Sequence, residues 1–103
     1  MAVDISASNH LCLSAVVVEM KPLRSTPAGI EVLDLWLEQQ AVISDGGVAR
    51  QNQLRLKAIV FGELAVWLHQ QPLGVLHQFQ GFLSNARHGK SVVFHIQSLI
   101  SDS

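Results

Sequence analysis

At 103 residues the chain is long enough for one domain with its own core and too short for two. With 49% of its residues apolar it is expected to fold; no apolar run approaches the roughly 20 residues that span a bilayer, and Met1-Ala2-Val3-Asp4 lacks the basic start and apolar core of a signal peptide, so a cytoplasmic location is expected. A net charge of −1 argues against a nucleic-acid partner when taken alone, but its distribution is uneven. Residues 1–49 hold two cations, Lys21 and Arg24, against six acidic residues, whereas residues 50–90 hold Arg50, Arg55, Lys57, Arg87 and Lys90 against Glu63. A fold that gathers the second set would carry a basic stripe; otherwise the surface is an ordinary mixed one.

In chain order, residues 1–9 are expected to be a flexible tail ahead of a strand from His10 to Glu19, whose valines and leucines suggest burial on much of both faces. Cys12, the single cysteine, has no disulfide or metal-ligand partner in reach and reads as a small buried hydrophobe. Lys21-Pro22 ends the strand, and Pro22 to Gly29 reads as a loop closed by a Pro-Ala-Gly turn. From Ile30 to Gln39, Leu33, Leu35 and Leu37 alternate with Asp34, Trp36 and Glu38, while Val32 falls out of phase: a half-buried strand with its leucines inward. Asp45-Gly46-Gly47 marks a hairpin tip.

The returning strand sets Leu54, Leu56, Ala58 and Val60 on one face and Arg55, Lys57, Ile59 and Phe61 on the other. Two cations beside an isoleucine and a phenylalanine suit nucleic acid, whose backbone takes the charge and whose bases take flat apolar surface. The same residues would equally suit a second layer or a subunit interface with the charges at its rim. Glu63 to Gln70 reads as a two-turn helix with Leu64, Trp67 and Leu68 inward, so Trp67 is expected in the core. Pro72 and Gly74 stop it, and two strands come next, Val75 to Leu83 and Val92 to Ile100.

Ser84 to Ser91, SNARHGKS, is one glycine short of a phosphate-binding loop, but Val92-Val93-Phe94 reads as strand and not as the helix such a loop needs. It fits better as a basic hairpin tip presenting Arg87, His88 and Lys90. The five histidines show no metal-ligand spacing, and no nucleophile, base and acid stand in a catalytic pattern, so neither cofactor nor metal is expected and a binding protein is the better reading than an enzyme.

Pro22-Leu23-Arg24, Pro27-Ala28-Gly29-Ile30, Arg50-Gln51, Ile59-Val60-Phe61-Gly62 and Gly81-Phe82-Leu83-Ser84 occur in an order that resembles the PriB family of primosomal proteins, which have the OB-fold of single-stranded-DNA-binding proteins. The resemblance covers roughly Leu11 to Leu99 and implies one all-β domain: a five-stranded OB-fold Greek-key barrel with one short helix between strands 3 and 4. It implies a homodimer paired through the first strands, for which Leu11, Leu13 and Ala15 are the candidates, acting in replication restart on single-stranded DNA, on the PriA helicase and on DnaT. The nucleic-acid contacts it implies, together with those read from the strand faces, are Arg24, Trp36, Arg50, Arg55, Lys57, Phe61, Arg87, His88 and Lys90. Trp36 would stack on a base or pack in an interface.

Basic residues expected near the ends of the first two strands are Met20 and Gln40 here, an aromatic expected in the third falls near Gln53, and the Ser84–Ser91 loop is short. The end at Ile100-Ser101-Asp102-Ser103, with no glycine-rich linker or acidic tip, favours PriB over the larger single-stranded-DNA-binding proteins. Two further readings stay open: a protein-interaction adaptor with weak DNA binding, and a general single-stranded-DNA-binding protein without the acidic tail.

Overall fold

The computed structural model describes residues 8–100. Its elements are β1 (Leu11–Met20), β2 (Arg24–Ser25), β3 (Glu31–Asp45), β4 (Val48–Phe61), α1 (Glu63–His69), β5 (Leu76–Asn85) and β6 (Val92–Ile100). The sheet runs β1-β5-β6-β4-β3-β2, and β1 also pairs with β3, so the five long strands close into a barrel. All pairings are antiparallel except β4 with β6. This is the five-stranded OB topology; the helix comes after the third long strand, which becomes β4 once the two-residue β2 is counted. Among the described residues no helix is long and apolar enough to cross a membrane.

Strand alternation builds the core. Leu13, Ala15 and Val17 of β1 meet Leu33, Leu35 and Leu37 of β3, Ala58 and Val60 of β4, Phe79 of β5, and Phe94 and Ile96 of β6. Each such leucine or phenylalanine contributes about 1.5–3 kcal/mol by leaving water. Gln39 Nε2 donates to the Ser14 carbonyl (2.8 Å) where β1 and β3 part company.

Several sequence expectations need correction. Only the odd-numbered face of β1 is buried; Cys12 faces outward, its Sγ 3.3 Å from His10 Nε2, and is exposed. The same parity puts the side chains of Leu13 and Ala15, offered as interface residues, inside the barrel, while Leu11 packs partly against the core. On α1 the buried residues are Ala65 and Leu68, with Leu64 partly buried. Trp67 lies roughly 100° around the helix from Leu68 and is 44% exposed, edge-on to His77.

The β3–β4 hairpin is longer than alternation indicated. It pairs continuously out to Asp45 and Val48 across Gly46 and Gly47, whose φ angles of 62° and 82° make the two-residue turn that glycine favours. Most of the outer ribbon is exposed on both faces, so its sequence has no inward pattern to read. Of the expected tail, residues 1–7 lie outside the described residues, whereas Asn9 is tied to β5: its Nδ2 donates to the Leu83 carbonyl (2.8 Å) and its Oδ1 accepts from the Leu83 amide (3.0 Å).

Candidate nucleic-acid interface

Register decides which side chains share the outside of the barrel. On the β3–β4 ladder the outward pairs are Asp34 with Ile59, Trp36 with Lys57, and Glu38 with Arg55. The parallel pairing of β4 with β6 sets His95 beside Ile59, and β5 then places Phe82 opposite His95. Gly81 makes that last step possible: a Cβ there would lie 1.8 Å from the His95 carbonyl oxygen, so β5 approaches β6 this closely, next to a register shift after Gln80, only because the residue has no side chain.

A groove of about 500 Å³ crosses this surface. Arg24 and Thr26 enter from the β1–β3 connection, Lys57, Ile59 and Phe61 from β4, Arg87 and His88 from the β5–β6 connection, and Val93 and His95 from β6. Phe61 and His95 bring two rings into its lining, and Phe82 lies behind His95 outside it. The His95 ring stacks on Phe82 at 4.7 Å between centroids and 16° between planes, and on Phe61 at 5.8 Å and 26°. Phe61 is 44% exposed, and burial holds the His95 imidazole below the ordinary histidine range, which favours the neutral ring. A larger cavity of about 650 Å³ between α1 and the ends of β5 and β6 contains Trp67 but no lysine or arginine.

The cations differ in their partners. Arg24 donates from Nε to Asp34 Oδ2 (2.8 Å) and from Nη2 to Oδ1 (3.4 Å), and that hydrogen bonding holds its pKa above the usual value. Arg55 donates to Glu38 (2.8 Å) with its guanidinium 5.0 Å from the centre of the Trp36 ring. Lys57 and Arg87 have no acidic partner among the described residues.

Of the residues named from sequence, Arg24, Lys57, Phe61, Arg87 and His88 meet in the groove, and Trp36 and Arg55 continue it along the same ladder face. Lys90 sits in the β5–β6 connection outside the groove lining, its carbonyl accepting from Asn85 Nδ2 (3.2 Å). That connection leads directly into β6, so it has no helix to form a phosphate loop. Arg50 is not brought in. It lies out on the hairpin opposite Ile43, on the core-facing parity of β4, and pairs with Asp45 at 3.2 Å. Sequence reasoning missed His95 as a site residue and Phe82 as the ring behind it; the alternation of β6 marks His95 as outward, but only the Gly81 approach shows that Phe82 covers it.

Fold and groove together define an OB barrel with a charged outer face bearing aromatic rings. The family described as "another single-strand binding protein family" matches residues 9–98. Replication restart protein PriB of Bordetella pertussis is 40% identical over 90 residues, covering 86% of this chain and 84% of that protein. PriB of Neisseria meningitidis serogroup C is 32% identical over 94 residues, covering 89% and 92%. The structure of PriB from Ralstonia solanacearum superimposes with a TM-score of 0.81 at 34% identity, covering 91% of this chain and 97% of that one. The chain belongs to the single-strand binding protein family and, within it, to the PriB replication restart proteins.

Proposed function

We propose that the chain binds single-stranded DNA across the outer face of β3, β4 and β6 during replication restart, working as a homodimer that stimulates the PriA helicase and passes the complex on to DnaT in the cytoplasm. The observation that carries the DNA reading is the groove itself, where Arg24, Lys57 and Arg87 surround the exposed Phe61. OB barrels bind oligonucleotides on this face, between the loops corresponding to the β1–β3 and β5–β6 connections. Phosphates answer the cations and bases the rings.

Support for the homodimer comes from an open edge. Pairing of β1 with β3 begins only at Val16 with Glu38, so among the described residues the β3-facing edge of Leu11 to Ala15 has no strand partner. An uncovered edge of this kind invites pairing with a second copy. Leu11, Leu13 and Ala15 would then contribute backbone, while Cys12 and Ser14 face outward. The adaptor reading keeps one specific observation in its favour: Arg24 and Arg55 are already engaged by Asp34 and Glu38.

Salt dependence separates the two. If about four cations neutralise phosphates, log affinity falls with log salt at a slope near −3, at about −0.7 per contact, which weakens binding on the order of 50-fold between about 50 and 200 mM. A slope near zero would leave the adaptor. Sedimentation at micromolar concentration tests the dimer, and a monomer there would remove it.

A further inference from the structure

DNA in the groove leaves the larger cavity beside α1, about 650 Å³, without a task. We propose that this cavity docks an extended, uncharged and largely apolar segment of a partner protein, which adds a strand to the edge of β6 in the slot that β4 leaves when it turns into α1. The cavity shares no lining residue with the groove, so the proposal stands whether or not the groove binds DNA.

The form of the occupant follows from an open edge. β4 and β6 run parallel and pair only from Ala58 with Phe94 to Val60 with Ile96; β4 ends at Phe61, Gly62 turns the chain at a φ of 81°, and α1 begins. β6 runs on to Ile100 with β5 on one side. Beyond Ile96 no strand and no backbone hydrogen bond meets its other side among the described residues. Gln97, Ser98, Leu99 and Ile100 all line the cavity, and successive strand residues point to opposite faces, so the edge of β6 borders it and not one face. The free N–H and C=O groups of such an edge are met in register only by another extended backbone. These four residues give roughly 13 Å of edge at about 3.3 Å each, enough for about four residues of a partner.

The chemistry of the occupant follows from the walls. Leu64 and Trp67 of α1 and Leu76 of β5 complete the cavity, with no lysine, arginine, aspartate or glutamate in its lining. Trp67 is held edge-on to His77 at 6.0 Å between ring centroids, and Leu76 is 65% exposed. Apolar side chains gathered in this way mark a protein contact. Alternate side chains of the added strand pack against them, while its backbone pairs with β6. Phosphates find no cation here, which sets the cavity apart from the groove. A second copy does not fit either: each copy brings its own α1 beside its own β6 edge, and two concave clefts cannot fill one another.

The test begins with random peptides of about eight residues, displayed on phage and selected on the full chain, long enough to span the edge with a residue or two to spare at each end. The tightest binder, synthesised with a fluorescent label, is the probe, and its sequence should alternate apolar with uncharged residues. Trp67→Ala should weaken its binding roughly 10-fold or more and leave the affinity for single-stranded oligonucleotide unchanged. Methylating alternate backbone nitrogens of the peptide leaves the protein untouched, and so carries the test if Trp67→Ala does not fold. One of the two alternating patterns should weaken binding roughly 10-fold or more and the other should not, because an added strand turns only every second amide toward β6. Equal loss from both patterns, or loss from neither, overturns strand addition. No peptide enriched above a parallel selection on serum albumin overturns the proposal, as does a peptide that binds folded Trp67→Ala as tightly as the wild type. Sedimentation in which Trp67→Ala alone dissociates an oligomer would give the cleft to a second copy. Weaker oligonucleotide binding by folded Trp67→Ala would give it to DNA, and either result overturns the partner segment.

Discussion

Two parts of one face treat their cations differently. Lys57 and Arg87 reach the groove with no acidic partner among the described residues, whereas Arg24 and Arg55 arrive already held by Asp34 and Glu38 at 2.8 Å each. An arginine bound to a carboxylate of its own chain must give up that partner, or share it, before it neutralises a phosphate. Counting basic residues therefore overstates the attraction this face exerts. Exposed pairs of this kind contribute little to stability, at most about 1 kcal/mol, so their effect falls on binding and register.

The largest expected effect comes from separating the aromatic rings from both sets of cations. Gly81→Ala forces β5 away from β6, since its Cβ would meet the His95 carbonyl, and overpacking of this kind costs about 1–3 kcal/mol or more. Thermal unfolding should shift down, and the folded fraction should bind oligonucleotide more weakly at an unchanged salt slope, because no cation has been removed. Unaltered stability would mean that the strands part easily and that the close approach does not hold Phe82 in place.

Next in size is a direct comparison of the two kinds of cation. Replacing Lys57 and Arg87 together by alanine should lower the salt slope by about 1.4, at about 0.7 for each phosphate no longer neutralised. Replacing Arg24 and Arg55 together should lower it by less, since those charges are partly cancelled already. Equal changes in the two double variants, read from the same titration, would erase the distinction between them. A smaller and opposite effect sharpens it: Asp34→Asn releases Arg24 and should steepen the slope by up to about 0.7 while moving stability by no more than about 1 kcal/mol.

The barrel was legible in the sequence wherever one face is buried and the other wet. Leu33, Leu35 and Leu37 against Ala58 and Val60 set the register of β3 and β4, and with it the outward line of Trp36, Lys57, Ile59 and Phe61. Legibility failed where a neighbour's position, and not the strand's own period, decides exposure. Trp67 has helical spacing to Leu64, yet the barrel end takes Ala65 and Leu68 beneath it, so Trp67→Ala should cost less than the roughly 3–5 kcal/mol of a buried tryptophan, read from thermal unfolding. Cys12 and Leu13 are equally apolar in pattern, and only closure of β1 against β3 and β5 tells which points inward. Ion pairs such as Arg24 with Asp34 join residues ten apart across a turn, and no spacing rule predicts them.

The smallest effect concerns the His95 ring among these cations. Burial holds the His95 pKa below its ordinary 6.5 in the folded chain, while the unfolded chain titrates near that value. Above about pH 6.5 the ring is neutral in both states and its contribution to stability is complete. As pH falls through that value and on through the lower folded pKa, the unfolded chain takes up a proton first, so stability decreases with falling pH. His95→Phe removes this titration, and the difference in melting temperature between wild type and variant should be flat from about pH 8 to 6.5 and then move in favour of the variant toward about pH 5. Bound single-stranded DNA should reduce that movement, because phosphates beside Lys57 and Arg87 favour the imidazolium and offset the cost of charging it. A difference that stays flat over the whole range would place the ring in contact with water and remove it from between Phe61 and Phe82.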